Sequence, residues 1–451
     1  MKRIFTILAM VALLLAGCKK ETPEHEPTVV IKLVGMPTEF TVGRSVTISA
    51  VITPDDAADK SVTFTSSNPE VATVEYTKSE YNYSLALLKA VGPGKATITA
   101  TVNDGSGVKD EAEVEVVIPP IMTFTSPANC YIVTTAYMCA FKAVKGNSSE
   151  SVGNVASAEV LWETFGTHER PKVGDLVKDV SYKDGEITFK TTDKKGNAVI
   201  AAKDASGEIL WSWHIWMTDQ PQEQEYYNNA GTMMDRNLGA TSATPGDVGA
   251  RGLLYQWGRK DPFLGSSSMS DDNEAKSTIT WPSAVSSDSS NGTIAYAIAN
   301  PTTFITENRY ILDWYYTDSE PTYYTRWTTS DQAKSIYDPC PSGWRVPDGG
   351  ENGVWSKALG SSSEFKNVFD NVYRGMNFSG KFGSDQTIWY PAPGYRDNSD
   401  GSFSNVANYG LYWSASTYGQ RANSLCIYDD GIVALRNGSR AICISVRCVK
   451  E

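Results

Sequence analysis

Apolar and polar residues alternate with period two in many short segments of this chain, and that alternation constrains its fold most. Ser45-Val46-Thr47-Ile48-Ser49-Ala50-Val51 and Ala96-Thr97-Ile98-Thr99-Ala100-Thr101-Val102 are two such segments. A period of two sends every second side chain to one face, which describes a half-buried strand and not a helix. Turn residues such as Thr53-Pro54-Asp55-Asp56 and Val91-Gly92-Pro93-Gly94 separate the segments, as a β-sandwich requires. The 36 Gly, 21 Pro, 12 Trp and 23 Tyr fit the same β-rich, turn-rich reading. At roughly 150 residues per domain, the 451 residues predict about three domains, so the expected class is multidomain and mostly β.

Charge excludes one class of partner. The chain has 52 Asp+Glu against 40 Lys+Arg, a net charge of -12. A nucleic-acid binder needs a basic surface to displace counterions, so no nucleic acid is expected. His25, His168 and His214 are the only histidines and lie far apart in sequence, so neither a multi-histidine metal site nor a cofactor is expected.

The first 17 residues read as an address. A cationic start, Met1-Lys2-Arg3, precedes an apolar run from Ile4 to Ala16. That run is shorter than the roughly 20 residues of a spanning helix and has the length of a secretory core. It ends in Leu14-Leu15-Ala16-Gly17-Cys18, which resembles a bacterial lipobox. The resemblance implies lipidation at Cys18 and an outer-membrane, cell-surface protein held by its lipid alone. Residues 18–28 are charged and carry Pro23 and Pro27, hence a flexible tether. Its start, Lys19-Lys20-Glu21, is similar to the export tag of surface lipoproteins in gut anaerobes.

Residues 29–118 form the first module. Val62-Thr63-Phe64-Thr65-Ser66-Ser67-Asn68-Pro69-Glu70-Val71-Ala72-Thr73-Val74 and Gly92-Pro93-Gly94-Lys95-Ala96-Thr97-Ile98-Thr99 resemble the bacterial Ig-like domain, group 2. That family implies an Ig-like sandwich in a spacer or adhesive role, without catalysis.

Residues 121–222 read as a second, β-sandwich-like module. Strands are expected at 158–162, 186–190 and 197–202, with the turn Lys195-Gly196-Asn197 joining the last two. In the final strand, 209–217, Trp211, Trp213, Ile215 and Met217 share one face, and Ser212, His214 and Trp216 the other. Such an aromatic stripe can be a carbohydrate platform, but aromatics at strand spacing usually belong to a core, so an inner sandwich strand with His214 as a core histidine is expected.

Residues 225–451 make the largest module. Thr232 to Ala240 reads as strand and turn. Leu253, Leu254 and Trp257 predict a helix near 249–257, and a short helix is expected around Trp355. The stretch from Ser266 to Asn300 is polar and reads as surface loop, with Asp271-Asp272-Asn273-Glu274 a solvated run and not a calcium loop. Four motifs then occur in order: Asp338-Pro339-Cys340-Pro341-Ser342-Gly343-Trp344-Arg345-Val346-Pro347, Tyr390-Pro391-Ala392-Pro393-Gly394-Tyr395-Arg396, Gly410-Leu411-Tyr412-Trp413-Ser414-Ala415-Ser416, and Ser445-Val446-Arg447-Cys448-Val449. Together they resemble the FISUMP family of bacterial surface lipoproteins. The resemblance implies an α+β, C-type-lectin-like domain whose loops present a ligand face. The calcium-dependent sugar motif of such lectins is missing, so recognition is expected to be direct, through side chains.

Six cysteines remain after Cys18: Cys130, Cys139, Cys340, Cys426, Cys443 and Cys448. The FISUMP motif implies a Cys340–Cys448 bridge. Cys426 and Cys443 pair if their strands are neighbours and stay free otherwise. Cys130 and Cys139 can pair across a hairpin.

Between the framework motifs lies a stretch rich in Asn, Asp, Ser, Tyr and Arg, the residue types that paratope loops use. The candidate ligand-binding residues are Asp397, Asn398, Ser404, Asn408, Thr417, Tyr418, Arg421, Asn423, Tyr428, Arg436, Asn437 and Ser439. The function expected is adhesin-like binding of a surface protein or glycan, without catalysis, with the Ig-like module as a stalk. Two alternatives stand beside it. One is an oxidase like formylglycine-generating enzymes, which share the lectin-like fold class, using Cys443 and Cys448. The other is a purely structural stalk or pilus component.

Overall fold

The computed structural model describes residues 29–451 except 58, 82, 119–120, 135–136, 309, 318–321, 330, 332, 361–368, 378–387 and 430, and the side chains of 322 and 323. Cys18, the signal segment and the tether lie outside the described residues. The chain divides into two compact units that meet at 119/120.

In the first unit two four-stranded sheets enclose one core. One sheet runs in the order Val30–Val34, Ser45–Thr53, Tyr83–Ala90, Ala72–Glu80, and the other Glu39–Thr41, Lys109–Val117, Gly94–Val102, Val62–Ser66. The alternation read from the sequence decides which residues face inward. Ile48, Ala50 and Ile52 of one sheet and Ile98, Ala100 and Val102 of the other are sealed from solvent, while Ser49 and Val51 of the first and Thr99 and Thr101 of the second are not. This is the sandwich expected for 29–118.

The second unit holds everything from 120 to 451, so the stretches 121–222 and 225–451 share it. Its first two sheets form a sandwich. One runs Cys130–Val133, Ile209–Met217, Gly196–Lys203, Ser157–Thr164, and the other Val177–Lys183, Glu186–Thr191, Met138–Lys142, Ile121–Phe124. Tyr131, Phe141, Phe189, Trp211 and Trp213 fill the space between them. The turn expected at 195–197 is a correction: Gly196 and Asn197 already pair with Met217 and Trp216 as the start of their strand, and residues 192–195 carry the chain from one sheet into the other.

The first of these sheets is buried on both faces, and the strand Ile209–Met217 shows why. Trp211, Trp213, Ile215 and Met217 pack inside the sandwich, whereas Trp216 joins a second core with Trp257, Trp327 and Trp413. Trp211 and Trp213 are 1% and 0% exposed, which excludes the carbohydrate-platform reading. Polar ties cross the same boundary. Ser212 Oγ donates to Asp261 Oδ1 at 2.6 Å, and Asn197 Nδ2 donates to the Gly239 carbonyl at 2.9 Å.

A seven-stranded sheet dominates the rest. Its main path runs Phe403–Ser404, Tyr395–Arg396, Cys443–Ser445, Gly410–Tyr418, Arg421–Tyr428, Gly431–Ser439, and Leu254–Gln256 pairs with Cys443–Ser445 off that path. The helix expected near 249–257 is therefore a correction. A 3-10 turn spans Val248–Ala250, Gly252 adopts φ +72°, and the chain then extends to pair with a strand near the C-terminus. A Cβ on Gly252 would stand 2.7 Å from the Leu238 carbonyl oxygen, so neither its backbone angle nor its surroundings suit a helix. The helix around Trp355 does form, at Val354–Leu359.

The run 271–274 is not merely solvated. Asp272 Oδ1 accepts the Val406 N–H at 2.9 Å and Glu274 pairs with Arg396 at 2.9 Å, which ties this loop to the sheet.

Candidate functional site

Three strands joined by tight turns build the C-terminal face. Tyr418 pairs with Arg421 across a two-residue turn whose first residue is Gly419, at φ +56°. Glycine at that position suits the right-handed twist of a hairpin. The third strand, Gly431–Ser439, pairs with Arg421–Tyr428 and is the sheet's edge. Ile432 and Ala434 pack inward on Trp355 and Ile427, while Val433 and Leu435 stay 39% and 48% exposed.

Most of the residues expected on loops lie on these strands. Thr417 and Tyr418 end the first, Arg421, Asn423 and Tyr428 belong to the second, and Arg436, Asn437 and Ser439 to the third. Ser404 lies on the short strand Phe403–Ser404, whereas Asp397, Asn398 and Asn408 are in turns. Tyr418, Arg421 and Asn408 are exposed. Asn423 is buried at 7% exposure, because its strand is covered on both faces, so it is corrected from a recognition residue to a core one.

Several of the others have structural partners. Asn398 Nδ2 donates to Glu307 Oε2 at 2.7 Å, and Ser439 Oγ donates to the Leu312 carbonyl at 3.1 Å. Asp397 Oδ1 accepts the Ser399 N–H at 2.9 Å, Asn405 Nδ2 donates to Ser404 Oγ at 3.0 Å, and Asn437 sits opposite Asn423 in the ladder.

What the fold does bring together is a tyrosine stack beside apolar and cationic side chains. The rings of Tyr409 and Tyr428 lie 5.8 Å apart and nearly parallel, at 15°. Alternation puts Tyr428 on the face of Cys426, and Val433 sits directly opposite Cys426 in the ladder. Arg436 is half-buried over the same sheet, with Nη1 3.5 Å from Ser424 Oγ. Such an array offers ring area, hydroxyls and one cation to a partner. Tyr409, Val433 and Leu435 were not among the residues singled out from the sequence. The only signal for Tyr409 is its place next to Asn408, and the unbroken apolar run Ile432-Val433-Ala434-Leu435 reads as a buried strand.

The cysteines are now placed. Cys340 and Cys448 are joined, as the motif resemblance implied. Cys426 and Cys443 are free and buried, and the strand Gly410–Tyr418 lies between their strands. Cys130 and Cys139 are also free, which corrects the hairpin pairing: their strands belong to opposite sheets of the sandwich. Cys443 is fully sealed, and burial pushes its thiol far above the usual range. Among the described residues no group of three or more His, Cys, Asp and Glu is placed to hold a metal ion.

Residues 33–112 match the family model of the bacterial Ig-like domain (group 2). No protein of curated function matches the chain. Among solved structures, domains 5-6 of the S-layer protein SbsC are 14% identical over 43% of this chain and 100% of that one, with a TM-score of 0.18. Adhesin InvE of Yersinia pseudotuberculosis is 14% identical over 51% of this chain and 74% of that one, TM-score 0.18. The Escherichia coli adhesin FdeC is 13% identical over 42% and 63%, TM-score 0.18. The chain spans about half, 53%, of the structure of SbsC domains 4 and 5. With TM-scores this far below 0.5 these likenesses carry no argument. The family match does: the first unit is a bacterial Ig-like domain.

Proposed function

We propose that this protein is a lipid-anchored cell-surface binder, with the Ig-like unit as a spacer and the C-terminal sheet as the recognition surface for a protein or glycan. The observation that carries the reading is the Tyr409–Tyr428 stack next to exposed Val433 and Leu435 on an edge strand. Exposed aromatic and aliphatic side chains beside an Arg are the usual ingredients of an interface centre. An oxidase is the poorer reading, since Cys448 is held by Cys340 and the Cys443 thiol is sealed and kept protonated. A reactive thiol in the native protein, with copper-dependent oxidation of a cysteine peptide, would restore it. The lipobox resemblance at Cys18 supports the anchor. Cys18→Ser should abolish fatty-acid labelling and membrane retention, and equal label in the mutant rules the anchor out.

The test of the face is a partner isolated from host or microbial surfaces and titrated against Tyr418→Ala, Tyr428→Ala and Arg436→Ala proteins. Loss of an anchor commonly costs about 2 kcal/mol or more, a weakening of roughly 30-fold. If all three variants bind as wild type while deletion of 29–118 abolishes binding, recognition belongs to the Ig-like unit.

A further inference from the structure

A second surface, unrelated to the C-terminal face, is open at one side of the sandwich in the second unit. A groove of about 320 Å³ is lined by residues 123–126, residues 130–132, Gln220, Pro341, Ser342 and Trp344. A groove floored by the face of a strand is lined by every second residue. Here both strands contribute consecutive residues, so the groove runs along strand edges, where main-chain N–H and C=O groups point outward. The topology agrees. Ile121–Phe124 ends one sheet, paired with Met138–Lys142 alone among the described residues, and Cys130–Val133 ends the other, paired with Ile209–Met217 alone.

The two remaining edges of the same sandwich are defended. Val177–Lys183 carries Lys178, Asp179 and Lys183 and a break in register. Ser157–Thr164 carries Glu159 and a break of its own, and is covered at Glu163 by Thr278, which takes both its main-chain groups. Charges and bulges are what keep an exposed edge from pairing. Ile121–Phe124 and Cys130–Val133 have neither, and Ile121 is 55% exposed. The defence is left out only where the groove lies.

We propose that this groove accepts an extended, uncharged segment of a partner polypeptide, which adds as a further strand along Ile121–Phe124. The groove's lining contains no charged side chain, so a charged occupant would lose hydration without a counter-charge. A sugar fits less well, because the ring faces are taken. Tyr131 lies 4.7 Å from Phe124 on one side and 4.7 Å from Phe141 on the other, and Trp344 is only 7% exposed. The Trp344 indole N–H has no hydrogen-bond partner among the described residues, and it is not one of the polar atoms sealed from solvent. It is a donor available to a carbonyl of the incoming strand. Main-chain pairing supplies affinity in such additions, and side chains at alternate positions supply selectivity.

The test uses the full mature chain and an array of uncharged seven-residue peptides rich in Val, Ile, Thr, Ser and Tyr, with the best peptide titrated by fluorescence anisotropy. Two copies of that peptide are N-methylated at alternate amides, one copy along each edge. Strand addition predicts that one copy loses binding by more than tenfold while the other keeps it. Thr123→Lys with Thr125→Lys, both exposed positions, should weaken the parent peptide at least tenfold. Val173→Lys, a surface position of 83% exposure, should not. Absence of any binding peptide up to millimolar concentration, equal tolerance of both N-methylated copies, indifference to the lysine pair, or occupancy by a neutral saccharide in place of the peptide would each overturn the proposal.

Discussion

Oδ2 of Asp313 lies 3.3 Å from Nη1 of Arg440, and neither side chain is exposed at all. The same carboxylate also pairs with Arg326, equally buried, and both guanidinium carbons stand 4.7 Å from the centre of the Trp257 ring. One carboxylate thus faces two guanidinium groups in a site walled by indole. Taking it away removes the shared counter-charge of two buried cations, and breaking a buried pair commonly costs about 3–5 kcal/mol. Asp313→Asn should destabilise the second unit by about that amount in urea unfolding, with a smaller loss for Arg440→Met. A loss under about 1 kcal/mol for Asp313→Asn would mean that water reaches the arginines.

The Cys340–Cys448 bridge closes a loop with a sequence separation of 108 residues. In the chain-entropy account a loop of that size is worth up to about 4–5 kcal/mol, through restriction of the unfolded chain. A Cys340→Ala, Cys448→Ala double variant should therefore unfold at markedly lower urea while the Ig-like transition stays where it is. Peptide mapping of unreduced protein gives the prior check: Cys340 recovered as a free thiol removes the premise.

Asn129 ties the sandwich to the loop that carries the bridge. Its Nδ2 donates to the carbonyls of Ile336 and Asp338, both at 2.8 Å, and its Oδ1 accepts the Trp211 indole N–H at 3.1 Å. Asn129→Ala leaves the Ile336 carbonyl and the Trp211 indole N–H unmet, each worth about 1–3 kcal/mol, while the Asp338 carbonyl keeps the Asn147 amide at 3.2 Å. Gly146→Ala should act on the same tie, since a Cβ there would stand 2.0 Å from Asn129 Oδ1. If the two losses come through one contact, the double variant is less destabilised than the sum of the singles. Strict additivity would place the effect of Gly146→Ala elsewhere.

These cases mark where reading from residues succeeds. The Ig-like strands were legible because residues such as Ile98, Ala100 and Val102 alternate with threonines, and local alternation is all a half-buried strand needs. Leu254–Gln256 was not, because what holds it extended is Cys443–Ser445, almost two hundred positions along the chain. Leu253, Leu254 and Trp257 have helical spacing, yet Gly252 and a distant partner decide the outcome. Cys130 and Cys139 look like hairpin neighbours in sequence, but Cys130–Val133 pairs with Ile209–Met217 in one sheet and Met138–Lys142 with Glu186–Thr191 in the other. At the candidate face, polarity was a guide to residue type and not to exposure. Asn423 is covered by packing on both faces of its strand, while Val433 and Leu435, apolar by composition, face outward.

His214 supplies a pH test of the wall between the two cores. It is 2% exposed, and burial holds its ring down to about 3, from an ordinary value of 6.5. The contacts explain why protonation is refused. Asn197 Nδ2 donates to the Gly239 carbonyl, which leaves Asn197 Oδ1 to accept from His214 Nε2 at 2.9 Å. The neutral ring therefore carries its proton on Nε2, and a second proton would go to Nδ1, which is sealed and has no acceptor. Above pH 6.5 the ring is neutral in folded and unfolded chains alike and costs nothing. As pH falls from 6.5 towards 3 the unfolded chain takes up a proton that the folded one refuses, and stability falls by about 1.4 kcal/mol per pH unit. His214→Gln retains an amide donor for Asn197 and removes the titration. Between pH 7 and 4.5, wild type should lose about 2–3 kcal/mol more than this variant in parallel urea titrations. Parallel pH curves for the two proteins would show that the imidazole titrates inside the fold, and that the packing between Asn197 and Trp216 admits water.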